Sequence, residues 1–133
     1  MDFSSALSVA AAIRAKEVSP TEVLDACLAR VDEVNDRVNA IIWRDDEGAR
    51  ARAKKADDAV AKGEDLPPFH GVPIPIKDLT KVEGWSATYG SRGAPTGVAT
   101  AREPVVAPLV TAGVAPPRPP TPHEPPPAPR PPT

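Results

Sequence analysis

Prolines set the first limit on how this chain can fold. Eleven of its 19 prolines fall within residues 116–133. A segment that lacks amide donors at most positions and is fixed near polyproline II geometry cannot pack into a helix or a sheet. Any folded unit must therefore come from the first 113 or so of the 133 residues. Aromatics make up only 4% of the chain, and much of its 41% hydrophobic content is alanine, so the core is expected to be small and the stability marginal. The sequence divides into an α/β domain over residues 1–113 and a disordered Pro-rich tail over 114–133.

Sixteen basic and 18 acidic side chains are interspersed, for a formal charge of -2, which excludes a field suited to nucleic acid or an anionic membrane. No signal-peptide pattern opens the chain, and no apolar run approaches the roughly 20 residues that span a bilayer. A soluble, cytoplasmic protein is expected. The single cysteine, Cys27, permits no intrachain disulfide and falls on the apolar side of a helical pattern, where it reads as a small buried hydrophobe.

Along the chain, residues 4–17 predict a first helix, with Leu7, Ala10, Ala11 and Ile13 on one side. Ser19, Pro20, Thr21 and Glu22 spell a capping box with proline at the first helical position, so a second helix starts at Pro20. Leu24, Cys27, Leu28, Val31, Val34 and Val38 carry it onward at helical spacing. The run Ile41, Ile42 and Trp43 favours a short strand over residues 38–43. Asp45 or Asp46 can then cap a third helix through Lys62, which Gly63 ends. A fourth, short helix is expected over residues 103–112, with Gly113 at its end and Pro108 as an awkward member.

Between the third and fourth helices lies a proline-punctuated run: His70, Gly71, Val72, Pro73, Ile74, Pro75, Ile76, Lys77, Asp78 and Leu79. If it is extended, Val72, Ile74 and Ile76 share one face, and Pro73, Pro75 and Lys77 the other, placing Lys77 at a strand end. A lysine drawn into an apolar site loses proton affinity and can act as a base near neutral pH. Asp78 opposes that if its carboxylate approaches the amine. His70 and His123 have no partner at metal-ligand spacing, so no metal is implied and His70 reads as a structural hydrogen bonder. Ser86, Thr88 and Ser91 follow in a loop rich in glycine and hydroxyls. The segment Gly90, Ser91, Arg92, Gly93 lacks the pattern of a phosphate loop.

This run, followed by Gly84 and by Thr88, Tyr89, Gly90 and Ser91, resembles the catalytic-lysine segment of the amidase signature family. Upstream, Ser19 to Val23, Val38 to Ala40, Asp46 to Arg50, and Ala56 with Asp57 resemble the same family's N-terminal helices. The resemblance covers about residues 4–113. It implies the helical beginning and first strands of a mixed-sheet fold. It also implies hydrolysis of a carboxylic amide C–N bond by a relay of lysine, cis-peptide serine and nucleophilic serine, with no cofactor and a small-molecule amide as substrate. Lys77 matches the catalytic lysine. Neither serine has a counterpart, because in the family both lie in a glycine/serine-rich segment well downstream of the lysine, past the loop of Ser86 to Ser91, and no such segment occurs within the 133 residues.

From Val114 onward the chain departs from the family. The proline, arginine and alanine codons of the tail begin with G and C, which suggests a frameshift near Gly113 and a truncated, inactive fragment; the neighbouring DNA tests this. Three other readings stand beside it. The Pro-rich tail can serve a binding module, since Pro119 to Pro122 and Pro129 to Pro132 fit SH3- or WW-type grooves. The chain can be a split subunit completed by another polypeptide, or part of a glutamyl-tRNA amidotransferase A-type subunit. Pro75 stands where that last branch is expected to carry glycine, which favours a free-standing amidase.

Overall fold

The computed structural model describes residues 5–83, 89, 99–101, 103–111 and 113. Four helices occur within them in chain order: α1 (Ala6–Arg14), α2 (Pro20–Val38), α3 (Asp46–Lys62) and α4 (Val106–Thr111). The expected loop hydroxyls Ser86, Thr88 and Ser91, together with His123 and the proline tail, lie outside the described residues.

Local chemistry explains each helix end. Ser5 caps α1, its Oγ accepting from the Ser8 amide at 3.0 Å. The helix then stops at Arg14, short of the expected residue 17, because the chain turns left-handed at Lys16 (φ 60). Glu17 N–H donates to Ala12 O and Lys16 N–H to Ile13 O, both at 3.0 Å, the two closures of a Schellman motif. Helix α3 ends in the same way, with glycine in the left-handed position: Gly63 (φ 71) donates to Val60 O and Glu64 to Ala59 O.

Helix α2 begins with every first-turn donor accounted for. Pro20 has no N–H, the Thr21 amide donates to Asp57 Oδ1 at 3.2 Å, and the Glu22 amide donates to Ser19 Oγ at 3.1 Å. Thr21 Oγ1 also donates to the Asp57 carboxylate, and Glu22 Oε2 accepts from the Ser19 amide at 2.8 Å. Asp57 belongs to α3, so the start of α2 is completed from a neighbouring helix. Arg50 and Asp25 (3.2 Å) add a surface pair between the same two helices, which is worth little by itself. Arg44 grips Asp46 with two hydrogen bonds, of 3.0 and 2.6 Å, and also meets Asp32. The hydrogen bonds from Asp46 and Asp32 raise its already high pKa further.

The core is a cluster of Val9, Ala10 and Ile13 from α1, Val23 from α2, and Val72, with Val18, Cys27, Val60 and Phe69 packed around it. Burying an aliphatic side chain as fully as Ile13 or Val23 contributes roughly 1.5–3 kcal/mol each. Helix α3 contributes Ala53, whose small side chain permits close approach.

The strands expected at residues 38–43 and 72–77 are absent among the described residues, which are helical apart from connecting segments and one isolated bridge residue, Pro73. At the first site the reason is visible. Asn39 takes the left-handed conformation (φ 47) to end α2. The Asn35 side chain then donates to Ile41 O at 2.9 Å and accepts from Ile41 N at 2.8 Å, meeting both backbone groups that a sheet neighbour would pair. Pro108 is tolerated in α4 because it is the third residue of that helix, where an N–H has no intrahelical acceptor. Among the described residues no helix is long and apolar enough to cross a membrane.

Candidate active site

The segment leading to Lys77 leaves α3 through a connector held at several points. Arg14 Nη2 donates to Pro67 O at 3.2 Å, tying the connector to the end of α1. His70 N–H donates to Pro67 O and Val72 N–H to Phe69 O, both at 3.1 Å, folding residues 67–72 into successive turns. His70 Nε2–H donates to Ala56 O of α3 at 3.0 Å, the structural role expected of it.

Gly71 is the point where side chains cease to be allowed. It is buried with φ +75, and a Cβ there would lie 2.6 and 2.9 Å from the Pro20 ring. Both the backbone conformation and the approach of Pro20 exclude any other residue without a shift. Its N–H donates to Gly113 O at 3.2 Å. Gly113 is itself left-handed (φ +89), and a Cβ on it would come within 2.9 Å of both Cα and N of His70. The sequence marks Gly113 only as a helix terminator. Its contact with Gly71 joins residues far apart in the chain and left no local signal.

Beyond Gly71 the run follows its alternation except at Pro73, which is half-buried where the pattern put it on the outer face. Val72 is buried, Ile74 and Ile76 are half-buried, and Pro75 and Lys77 are exposed. The aliphatic face is therefore turned inward and the amine outward. Lys77 O accepts from Thr80 N at 2.9 Å, so the run ends in a turn directly after the lysine, and Asp78 is half-buried. The chain then returns toward α4: Glu103 N–H donates to Lys81 O at 3.0 Å, Val82 is buried, and Val106 is 1% exposed.

Two other titratable groups are perturbed, and neither adjoins this segment in sequence. Hydrogen bonds from the Ser19 backbone and hydroxyl hold Glu22 below the usual glutamate range. Burial pushes the Cys27 thiol up, in keeping with a core-lining rather than a reactive cysteine.

With this geometry in place, known proteins supply the context. The amidase family model matches residues 22–116. An acylamidase of Rhodococcus erythropolis is 39% identical over 113 residues, covering 85% of this chain and 24% of that protein. The A subunit of the Desulfotalea psychrophila glutamyl-tRNA(Gln) amidotransferase is 45% identical over 83 residues, covering 62% of this chain and 17% of that protein. Among solved structures, one described as a vestigial protein complex revealing the evolutionary origins of an s-triazine catabolic enzyme superposes with TM-score 0.75 at 30% identity. That match covers 84% of this chain and 25% of that one. A bacterial aryl acylamidase of the amidase signature enzymes shares the fold with TM-score 0.75 at 22% identity, over 85% of this chain and 24% of its own.

The chain belongs to the amidase signature family. It spans a quarter or less of the length of these relatives.

Proposed function

We propose that residues 1–113 form the lysine-bearing part of an amidase catalytic domain, with Lys77 as the base of a lysine, cis-serine and serine relay that cleaves a carboxylic amide. The single observation that supports this most is the setting of Lys77. It stands on the outward face of a run whose inward face is packed and whose origin at Gly71 is fixed against α1, α2 and α4. In such a relay the neutral amine takes the nucleophile's proton through the bridging serine, and backbone donors stabilise the tetrahedral oxyanion. The resemblance places both serines and the oxyanion donors in a glycine/serine-rich segment well downstream of the lysine, so on this reading that segment must be supplied before the relay is complete.

The 133-residue chain by itself is expected to hydrolyse no aryl or aliphatic amide. A chimera in which residues 1–113 replace the matching region of the Rhodococcus acylamidase is expected to retain that enzyme's acylamide hydrolysis, and Lys77→Ala to reduce kcat by ~10³-fold or more. Turnover by the 133-residue chain alone that Lys77→Ala abolishes, or a chimera indifferent to Lys77→Ala, overturns the proposal.

The likeness to amidotransferase A-type subunits supports a second reading, in which the amide is glutamine and the product ammonia is passed on. A second chimera with residues 1–113 in the Desulfotalea A subunit, assayed for glutamine hydrolysis, distinguishes the two readings by which host retains Lys77-dependent turnover.

A further inference from the structure

We infer that Gly71 and Gly113 act as a backbone clamp at the foot of a proline-stiffened arm, and that the pair are positioning residues for Lys77. The clamp rests on close approach. Gly71 N–H donates to Gly113 O at 3.2 Å, Gly71 lies against the Pro20 ring, and Gly113 lies against the backbone of His70. Each glycine has positive φ, and at each a Cβ would approach a neighbouring atom within 3.0 Å. The foot of the arm is thus fixed from three directions: by α1 and α2 through Ile13 and Pro20, by α3 through Ala56, and by the end of α4 through Gly113.

The arm itself has few soft torsions. Pro73 and Pro75 have φ fixed near -65°, and Val72 and Ile74, each preceding a proline, are confined to extended conformations. From Gly71 to Lys77 is six residues, which at ~3.2 Å per residue span roughly 19 Å. A rotation of ~10° at the foot therefore swings the lysine by roughly 3 Å, because a stiff arm transmits the error instead of absorbing it. In a proton relay a misplacement of ~1 Å can cost ~10²-fold in rate. Two glycines remote from the amine thereby control where it stands. That the delivered amine is a relay base rests on the reading of Lys77 given above. The clamp does not, since its test reads position and the chimera reads chemistry.

The test uses the 133-residue chain with Cys27→Ala and spin labels at Lys77→Cys and Lys54→Cys, the latter an exposed site on α3. A second pair, Ala29→Cys with Lys54→Cys, reports α2 against α3. Electron–electron distance measurements are expected to give one narrow 54–77 population. Gly113→Ala is expected to shift or broaden it by roughly 3 Å, and Pro75→Gly to broaden it, with the 29–54 distance unchanged in both. If Gly113→Ala disturbs the 29–54 pair, the chain ending at residue 112, which removes the Gly113 acceptor without adding a Cβ, is read in its place with the same expected shift, and Pro75→Gly, exposed and outside the core, reports the stiffness of the arm. An unaltered 54–77 distribution in either variant whose reference pair is intact overturns the inference. So does a parent distribution as broad as that of Pro75→Gly.

Discussion

Lys16 and Gly63 occupy equivalent places at the ends of α1 and α3, both left-handed and both closing a Schellman motif, yet only Gly63 adopts that conformation without steric cost. The α3 terminator was legible because the glycine announced it. The α1 terminator was not, because a lysine gives no such signal and nothing in residues 14–17 breaks a helix. Lys16→Gly is therefore expected to stabilise the protein by about 0.5–1 kcal/mol, read as a rise in the urea midpoint at constant slope. An unchanged or lowered midpoint would show that the left-handed strain at Lys16 is relieved elsewhere. Cys27 makes a second residue-scale case. Its helical register predicted a buried hydrophobe; the structure leaves it half-buried against the core, enough for burial to raise the thiol pKa. Iodoacetamide near pH 8 is accordingly expected to alkylate it more slowly than a free model thiol, with unfolding in urea removing the difference. Equal rates in native and unfolded protein would contradict its burial.

Among the elements, α2 shows how far local chemistry carries and where it stops. Serine, proline and glutamate at positions 19, 20 and 22 fixed its start, because a capping box is a contact between near neighbours. The acceptor for the Thr21 amide could not be read in the same way, since Asp57 lies 36 residues on and reaches it only through packing of α3 on α2. Asp57→Ala is expected to cost about 1–2 kcal/mol, comparable to loss of an N-cap, and Ser19→Ala about 1 kcal/mol, both by urea denaturation. Glu22 adds a pH dependence of definite sign. Its folded pKa lies below the ordinary 4.5, so the ionised form is favoured by folding. The stability it contributes is complete above that ordinary value and disappears as pH falls through the lower folded one. The stability difference between the parent and Glu22→Gln should be constant near neutrality, shrink below pH 4.5 and vanish at lower pH. A difference that persists unchanged into strong acid would remove Glu22 from the cap. The missing strands follow from the same limits of scale. Sequence pattern rightly identified apolar, β-branched runs, but a strand needs a neighbour, and at Ile41 the Asn35 side chain takes that role.

At the scale of the whole molecule, the described fold closes where residue 113 meets residue 71. The α1–α3 core and the lysine-bearing run are joined by turns and side chains up to Gly71, and the last tie is the Gly71 N–H to Gly113 O bond. The lysine run was legible in the sequence because its alternation and prolines are local; its anchoring was not, because two glycines approaching across 42 residues of chain have no pattern. This makes the effect of shortening the chain depend sharply on where the cut falls. Removing residues 116–133 takes away a proline-rich segment whose sequence holds no valine, leucine, isoleucine, methionine or aromatic residue to bury, and is expected to leave the urea midpoint unchanged. A cut after residue 112 also removes the Gly113 acceptor, leaving the amide of buried Gly71 without its partner, for an expected loss of about 1–3 kcal/mol. Chains ending at residues 115 and 112, compared by urea denaturation followed through the helical signal, carry the test. Equal midpoints would mean that Gly113 rests on the lysine segment without holding it, and a lower midpoint in the chain ending at 115 than in the 133-residue chain would place the limit of the folded unit further along the chain.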